Sequence, residues 1–402
     1  MLYQFLIRLL SPLVVILIVL DAIKRQGGWN FIKQRLGLSY PTTRPGAIWL
    51  HCASVGEVKA VEALIKSAPQ QAWLITTSTP SGFQTAEKLG FANTEIRYCP
   101  FDWPFAIRRF LKTSQPAELW VVETELWPNL YKLAHRQGLK IRLINARLSH
   151  KSLSAPNWLK AQYRLCLTLT SQILARSNAE AQRYIQLGAQ ADKVQILGNL
   201  KQAGLKSLPQ FEREVARDYV LLASSHADEE VQISQRWQAL QRTELLVIVP
   251  RHAKRGVQIQ NQLSQLNLKV SLASRQQAIN PDTQVFIDDR FGHLMGLFAH
   301  AKLVIMGGSF VAKGGHNFLE PAALKRTIIT GWDNRDFEDE LVEFQQHSAI
   351  IVCADYDKLQ QRLNQLLSNQ AIADALADQA YLCIQNQVDI LKIYRNALNL
   401  AD

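Results

Sequence analysis

The sequence predicts an α/β protein of two Rossmann-like halves facing a central cleft, preceded by an apolar amino-terminal helix. Three observations predict it. The chain has 402 residues, room for two domains of ordinary size. Beyond Pro41, short β-rich runs alternate with amphipathic helical stretches, as in parallel sheets wound with helices. The first residues form one apolar run of membrane dimensions. With 48% apolar and 20% charged residues, the composition excludes disordered, collagenous and wholly membrane-embedded classes.

Leu9 to Ile23 read LLSPLVVILIVLDAI, interrupted only by Ser11, Pro12 and Asp21. Extended back to Leu2, the run reaches the ~20 residues that span a bilayer. Arg8 precedes it and Lys24, Arg25, Lys33 and Arg35 follow, a cluster that keeps the bulk of the chain cytoplasmic. We expect an uncleaved anchor or a shallowly inserted helix. A buried soluble helix is the alternative, and a signal peptide is disfavoured because no small-x-small site follows. The expected organisation is residues 1–40 as anchor and basic membrane-proximal segment, 41–205 as the first Rossmann-like half and 206–402 as the second. The last helix is a candidate to pack back on the first half.

Strands are expected at Ile48–Cys52, Trp73–Thr77, Leu119–Glu123, Ile141–Asn145 and Ile173–Ala175, then at Tyr219–Ala223, Leu245–Val249, Lys269–Leu272, Val285–Asp288, Leu303–Met306 and Thr327–Thr330. Lys201 to Arg217, mixed in charge and without a period, is the expected linker. Cys52, Cys99, Cys166, Cys353 and Cys383 are scattered, so neither a disulfide framework nor a thiolate zinc site is encoded. Lys and Arg number 45 against 34 Asp and Glu, a net +11 that attracts anionic partners without choosing among them.

Open parallel sheets hold ligands beyond the carboxyl ends of their strands, so the residues there are the candidates. HCASVGEV, at 51–58, runs from a strand into a helix. The spacing fits a capping box, with Ser54 as N-cap and Glu57 reaching back to its amide. It also fits a chemical site in which Gly56 admits a substrate and Glu57 accepts a proton from a hydroxyl nucleophile. A lost cap costs ~1 kcal/mol of stability; a lost general base costs ~10²–10⁴-fold in rate. WVVETELWPNL, at 120–130, sets Glu123 and Glu125 directly after an apolar strand, where two close acids raise one pKa. Exposed loop acids are the bland alternative, and Trp120 and Trp127 are expected in the core.

GGSFVAKGGHNFLEPAAL, at 307–324, carries the glycine pairs Gly307-Gly308 and Gly314-Gly315, then Asn317 as expected N-cap and Glu320 as third helical residue. A glycine-opened helix amino terminus presents free N–H groups to a phosphate, and a first-turn carboxylate accepts from ribose hydroxyls. A plain helix–sheet packing turn is the alternative. The stretch is neither a Walker loop nor G-x-G-x-x-G. VPRHAKR (249–255) and GNLK (198–201) put Arg251 and Lys201 at strand ends, where cations can meet a phosphate. ASSHADEE (223–230) offers Ser225 and Asp228 as caps and His226 as either scaffold or ligand. Asp288-Asp289 is a weak cation candidate, and the nine histidines contain no H-E-x-x-H.

Taken in order, HCASVGE, FDWP (101–104), ETELWPNL, NARLS (145–149), GNLK, VPRH and GGSFVAKGGHNFLEPAA make the chain resemble the membrane-associated 3-deoxy-D-manno-octulosonic acid (Kdo) transferases of Gram-negative bacteria. The likeness runs to about Gly331. It implies a GT-B fold and an inverting transfer of Kdo from CMP-Kdo to a lipid A precursor, in lipopolysaccharide biosynthesis at the cytoplasmic face of the inner membrane. It implies no bound metal and no cofactor beyond the donor substrate. Residues 41–205 would bind the acceptor and 206–402 the nucleotide sugar. By motif, Glu57 would be the general base, and Glu123 and Lys201 would stabilise the transition state. Pro250, Arg251, Asn317, Phe318, Leu319 and Glu320 would contact the nucleotide, with Ser225, Gly314 and Gly315 beside them. Phe291-Gly292-His293 stands where the family usually has Met-Gly-Glu, which leaves backbone contacts and removes the usual glutamate. Trp29, Phe31 and the Lys24–Arg35 surface are expected to meet anionic inner-membrane lipids at about 1 kcal/mol per well-placed cation. Two rival readings remain: a GT-B enzyme using a UDP-sugar, and a non-catalytic nucleotide-sugar or lipid-binding protein. No recognisable nucleic-acid module is present.

Overall fold

The computed structural model describes residues 2–25, 27–148, 150–386 and 389–400. Ser149, the last residue of NARLS, lies outside them. The chain divides into two compact units, Met1–Gly204 with Asp389–Asp402, and Leu205–Val388.

The first unit is built on a seven-stranded sheet of β1 (Ile48–His51), β2 (Trp73–Thr77), β3 (Thr94–Tyr98), β4 (Glu118–Val122), β5 (Lys140–Ala146), β6 (Gln172–Ala175) and β7 (Val194–Ile196), in the order β3-β2-β1-β4-β5-β6-β7. Every pairing is parallel. Both faces are covered, so successive residues of one strand enter different cores. Trp49 joins Leu119, Val121 and Ile141 on one face, while Ile48 and Leu50 join Trp73, Ile75 and Trp120 on the other. The helix Ile390–Leu398 closes the second of these cores through Ile390, Tyr394 and Leu398.

The second unit repeats the plan with β8 (Tyr219–Ser225), β9 (Leu245–Pro250), β10 (Val270–Leu272), β11 (Val285–Ile287), β12 (Leu303–Met306), β13 (Thr327–Thr330) and β14 (Ile351–Val352), in the order β10-β11-β9-β8-β12-β13-β14. Leu221 and Val247 point into one core, Leu222 and Ile248 into the other. Three strands escaped the sequence reading: β3, β7 and β14. All are edge strands with half-exposed residues, so no continuous apolar run marks them.

The amino-terminal run differs from the single anchor helix expected. It forms two helices, Leu2–Leu9 and Ser11–Lys24, bent by 55°. Pro12, in the first turn of the second helix, has no N–H to continue the ladder. Among the described residues, no single helix is long and apolar enough to cross a membrane. Both helices lie on the first unit: Ile7, Ile18 and Ala22 are buried with Phe31, Tyr98 and Trp103, and the Tyr3 hydroxyl donates to Asp102 at 2.5 Å. Phe31 is therefore corrected from a membrane contact to a core residue, packed edge-on to Tyr98 at 4.9 Å. Trp29, by contrast, is 74% exposed.

Candidate active site

In the first sheet the strand order reverses between β1 and β4, and the crevice beyond that switch point is where such sheets take ligands. Glu57 comes from the helix Val55–Ala60 after β1, and Glu123 and Glu125 from the turn after β4. The fold thus brings acids far apart in sequence to neighbouring strand tips.

Ser54 is the N-cap of the helix, but the reciprocal capping box does not form. The Ser54 hydroxyl donates to Glu57 Oε1 at 3.0 Å, and the Ala53 N–H donates to Glu57 Oε2 at 2.7 Å. The serine therefore holds the carboxylate instead of the helix amides. Glu57 is only 9% exposed. Burial, reinforced by the charges of Glu123 and Glu125, pushes its carboxyl up to about 8 against the pull of the two hydrogen bonds. A Cβ on Gly56 would meet nothing nearer than 3.9 Å, so the space in front of the helix start is open.

Glu123 sits at φ +60, a left-handed conformation that costs a non-glycine residue roughly 1–2 kcal/mol. Its amide bonds to Ile144 at 3.0 Å, and its carbonyl lies 3.0 Å from the Tyr184 hydroxyl, which pins the turn. The result is a side chain aimed at Lys201, whose Nζ is 2.8 Å from Glu123 Oε1. Lys201 rides on the short turn Leu200–Gln202. That turn is held by Asn145, which accepts from the Leu200 amide at 2.9 Å, and by Tyr394, whose hydroxyl donates to Gly198 at 3.1 Å. Glu125 accepts from the Trp127 indole at 2.6 Å, and burial pushes its carboxyl up. Trp120 is fully buried, as the sequence suggested.

In the second unit the switch point lies between β8 and β12. Ser224, at φ +58, marks a register shift against β9 and turns the chain at the strand end. Glu229, in the first turn of the helix Glu229–Ala239, is fully buried and accepts from the amides of His226 and Gly308, both at 2.8 Å, and of Phe310 at 3.1 Å. It ties the β8 and β12 tips together. The His226 amide is local, but Gly308 and Phe310 lie on a segment that no local pattern connects to Glu229, so the sequence did not show this role.

Several expected donor-site residues are corrected. The Ser225 hydroxyl is buried and donates to Glu230 at 2.8 Å, with Arg255 bonding the same carboxylate, so it is scaffold. Asn317 is not the N-cap: the helix is Leu319–Ala323, capped at Phe318, although Asn317 Oδ1 still accepts from the Leu319 amide at 3.2 Å. The amides of Gly314 and Gly315 are not free for a phosphate, since they donate to Asp333 at 2.8 Å and to Gly308 at 3.0 Å. Phe318 and Leu319 are buried, Phe318 against Phe337 and Phe344. Pro250 is buried at the end of β9, with Arg251 exposed beyond it. Glu320 stands in the first helical turn. Phe291 is 91% exposed, Gly292 has φ +93, and His293 Nδ1 pairs with Glu214 at 2.7 Å. Asp288, the weak cation candidate, groups with Glu214 and His293. Arg290 already lies among them, 2.7 Å from Asp288 and 3.1 Å from Glu214. Asp289 accepts from the Ser274 amide at 2.9 Å.

Two units of parallel sheet, each with its own switch point, define an α/β protein of paired Rossmann-like domains. The solved UDP-GlcNAc 2-epimerase from Neisseria meningitidis shares this fold, with 15% identity, a TM-score of 0.61, and coverage of 88% of this chain and 99% of its own. A glycosyltransferase from Rickettsia africae does likewise, at 13% identity and TM-score 0.61 over 89% and 100%. Within that class the chain is a glycosyltransferase. The family model described as 3-deoxy-D-manno-octulosonic-acid transferase matches residues 30–203. The 3-deoxy-D-manno-octulosonic acid transferase of Haemophilus influenzae is 30% identical over 98% of this chain and 98% of its own. The protein belongs to the Kdo transferase family.

Proposed function

We propose that the protein transfers Kdo from CMP-Kdo onto a hydroxyl of a lipid A precursor, with inversion, at the cytoplasmic face of the inner membrane. The observation that carries this reading is the Glu57–Glu123–Glu125 cluster at the first switch point, with Lys201 paired to Glu123. Glu57 is the general base. A carboxylate raised toward neutrality is matched to the operating pH and takes the acceptor proton as the sugar oxygen attacks the anomeric carbon. Glu123 and Lys201 stabilise the charge of the oxocarbenium-like transition state. In the second unit, Arg251, the backbone around Phe291, Gly292 and His293, and the Asn317–Glu320 turn receive the nucleotide. The charge of the departing phosphate is met by this chain's own donors.

The amino-terminal helices supply the membrane contact in this reading. Leu13, Ile16, Leu17 and Leu20 are all exposed at helical spacing on Ser11–Lys24, with Phe5 and Leu9 exposed on the preceding helix. Arg8, Lys24 and Lys33 are exposed nearby. A bent pair packed on the body, apolar on its outer side and edged with cations, suits insertion in the plane of the interface, about 5–10 Å deep. Leu13→Glu with Leu17→Glu is expected to abolish co-flotation with vesicles containing anionic phospholipid and leave the melting temperature unchanged. Undiminished flotation contradicts the assignment.

Purified protein supplied with a lipid A precursor and either CMP-Kdo or a panel of UDP-sugars tests the function. Transfer from CMP-Kdo alone is expected. Turnover only with a UDP-sugar replaces the donor, and no transfer by folded protein favours a binding role.

A further inference from the structure

We infer that His226 and His316 form a hydrogen-bonded imidazole dyad that receives the phosphoryl group of the donor. The inference rests on the donor reading above and names the groups that meet the leaving side of the reaction.

His226 directly follows β8, and His316 comes from the loop beyond β12, so the dyad spans the switch point of the second sheet. Their Nε2 atoms are 2.9 Å apart, with the rings within 10° of parallel. His252, beyond the end of β9, adds a third imidazole 6.2 Å from His226, so adjacent strand tips converge there. The turn beneath is shaped to the pair. Gly308 has φ +70, and a Cβ on it would stand 3.0 Å from the His316 ring and 3.3 Å from that of His226. The Gly308 amide is fixed by Glu229 and its carbonyl by the Gly315 amide.

A 2.9 Å contact between two ring nitrogens requires one to carry a hydrogen and the other a lone pair. The ring that accepts at Nε2 must keep its own hydrogen on Nδ1. Whichever ring that is, the neutral dyad offers one further N–H and one lone pair to a ligand. Protonating both rings would set two N–H groups face to face. Burial holds both imidazoles below their ordinary value, His316 at about 4, reinforced at His226 by the charges of His252, Lys313, Arg251 and Arg255 and at His316 by those of His226, Arg251 and His252. The same cations favour an anion at the pair.

In the transfer, the bond from the anomeric carbon to the phosphate oxygen breaks, and its electron pair stays on that oxygen. The acceptor oxygen bonds to the carbon, and its proton passes to Glu57. The phosphate gains a negative charge, and a preset N–H beside it strengthens its hydrogen bond as that charge develops. No proton need leave the dyad.

The test is calorimetric titration of the full chain with cytidine 5′-monophosphate, uridine 5′-monophosphate and cytidine, for the wild type, His316→Ala, His316→Asn and His226→Ala. Wild type is expected to prefer cytidine monophosphate. Each variant should weaken monophosphate binding by about tenfold, equivalent to about 1.4 kcal/mol, and leave cytidine binding within about twofold. Retained cytidine binding shows that the variants are folded. Unchanged monophosphate binding, or equal weakening of both ligands, overturns the dyad assignment while the donor reading stands. A wild type that binds uridine nucleotides and not cytidine monophosphate overturns the donor reading and the dyad's role with it.

Discussion

Glu57→Gln is expected to lower Kdo transfer by about 10²–10⁴-fold while the melting temperature at neutral pH moves by no more than about 2–4 °C, the shift of roughly 1 kcal/mol in a domain of this size. The amide keeps an acceptor for the Ala53 N–H and fills the same volume, so the turn after β1 loses little. It loses only the capacity to take a proton. Stability against pH gives a second readout. A carboxyl raised to about 8 in the fold, and near ~4 in the unfolded chain, favours the fold at low pH and loses that contribution as pH rises through 8. The glutamine variant carries no such slope and should match or exceed the wild type in stability at alkaline pH. A parallel loss of activity and stability returns Glu57 to a scaffold role.

The second large effect is on stability. Glu229→Ala removes the acceptor for the amides of His226, Gly308 and Phe310, with Glu229 itself fully buried. Unmade buried hydrogen bonds cost about 1–3 kcal/mol each, so the second unit should lose about 3–5 kcal/mol. Urea unfolding followed by calorimetry reads the loss. Hydrogen exchange at Gly308 and Phe310 should quicken at the same time. An unchanged midpoint with unchanged protection means that these amides find other acceptors, which contradicts the role assigned to Glu229. Glu229→Gln retains one oxygen and should fall between the two.

The central strands were legible because both of their faces are buried. Trp73–Thr77, apolar then β-branched, and the unbroken apolar Leu303–Met306 read as strands and form over those same residues. The edge strands Thr94–Tyr98 and Val194–Ile196 had no such run to read. Glu123 stood out because an acid directly after a buried strand is conspicuous in one dimension, and Glu57 by its spacing from Ser54 and Gly56 in the turn that follows β1. His316 and Glu229 did not, since what gives them meaning is a partner on another strand tip, 90 residues away in the case of His316 and His226. Asn317 misled because a helix only five residues long begins after it, although its side chain still bonds the first helical amide. The amino-terminal run was read for hydropathy and length, which Pro12 leaves intact while it breaks the helix.

The account depends most on Glu57 being a base tuned by its acidic neighbours. The pH dependence of kcat/KM for Kdo transfer, compared between wild type and Glu123→Gln, tests this directly. The wild-type rate should climb through a limb near pH 8, where the buried carboxyl loses its proton. In the variant, whatever its absolute rate, the limb should move to lower pH, because one of the charges that raise Glu57 is gone. A limb in the ordinary carboxylate range near ~4, at the same place in both proteins, contradicts the account.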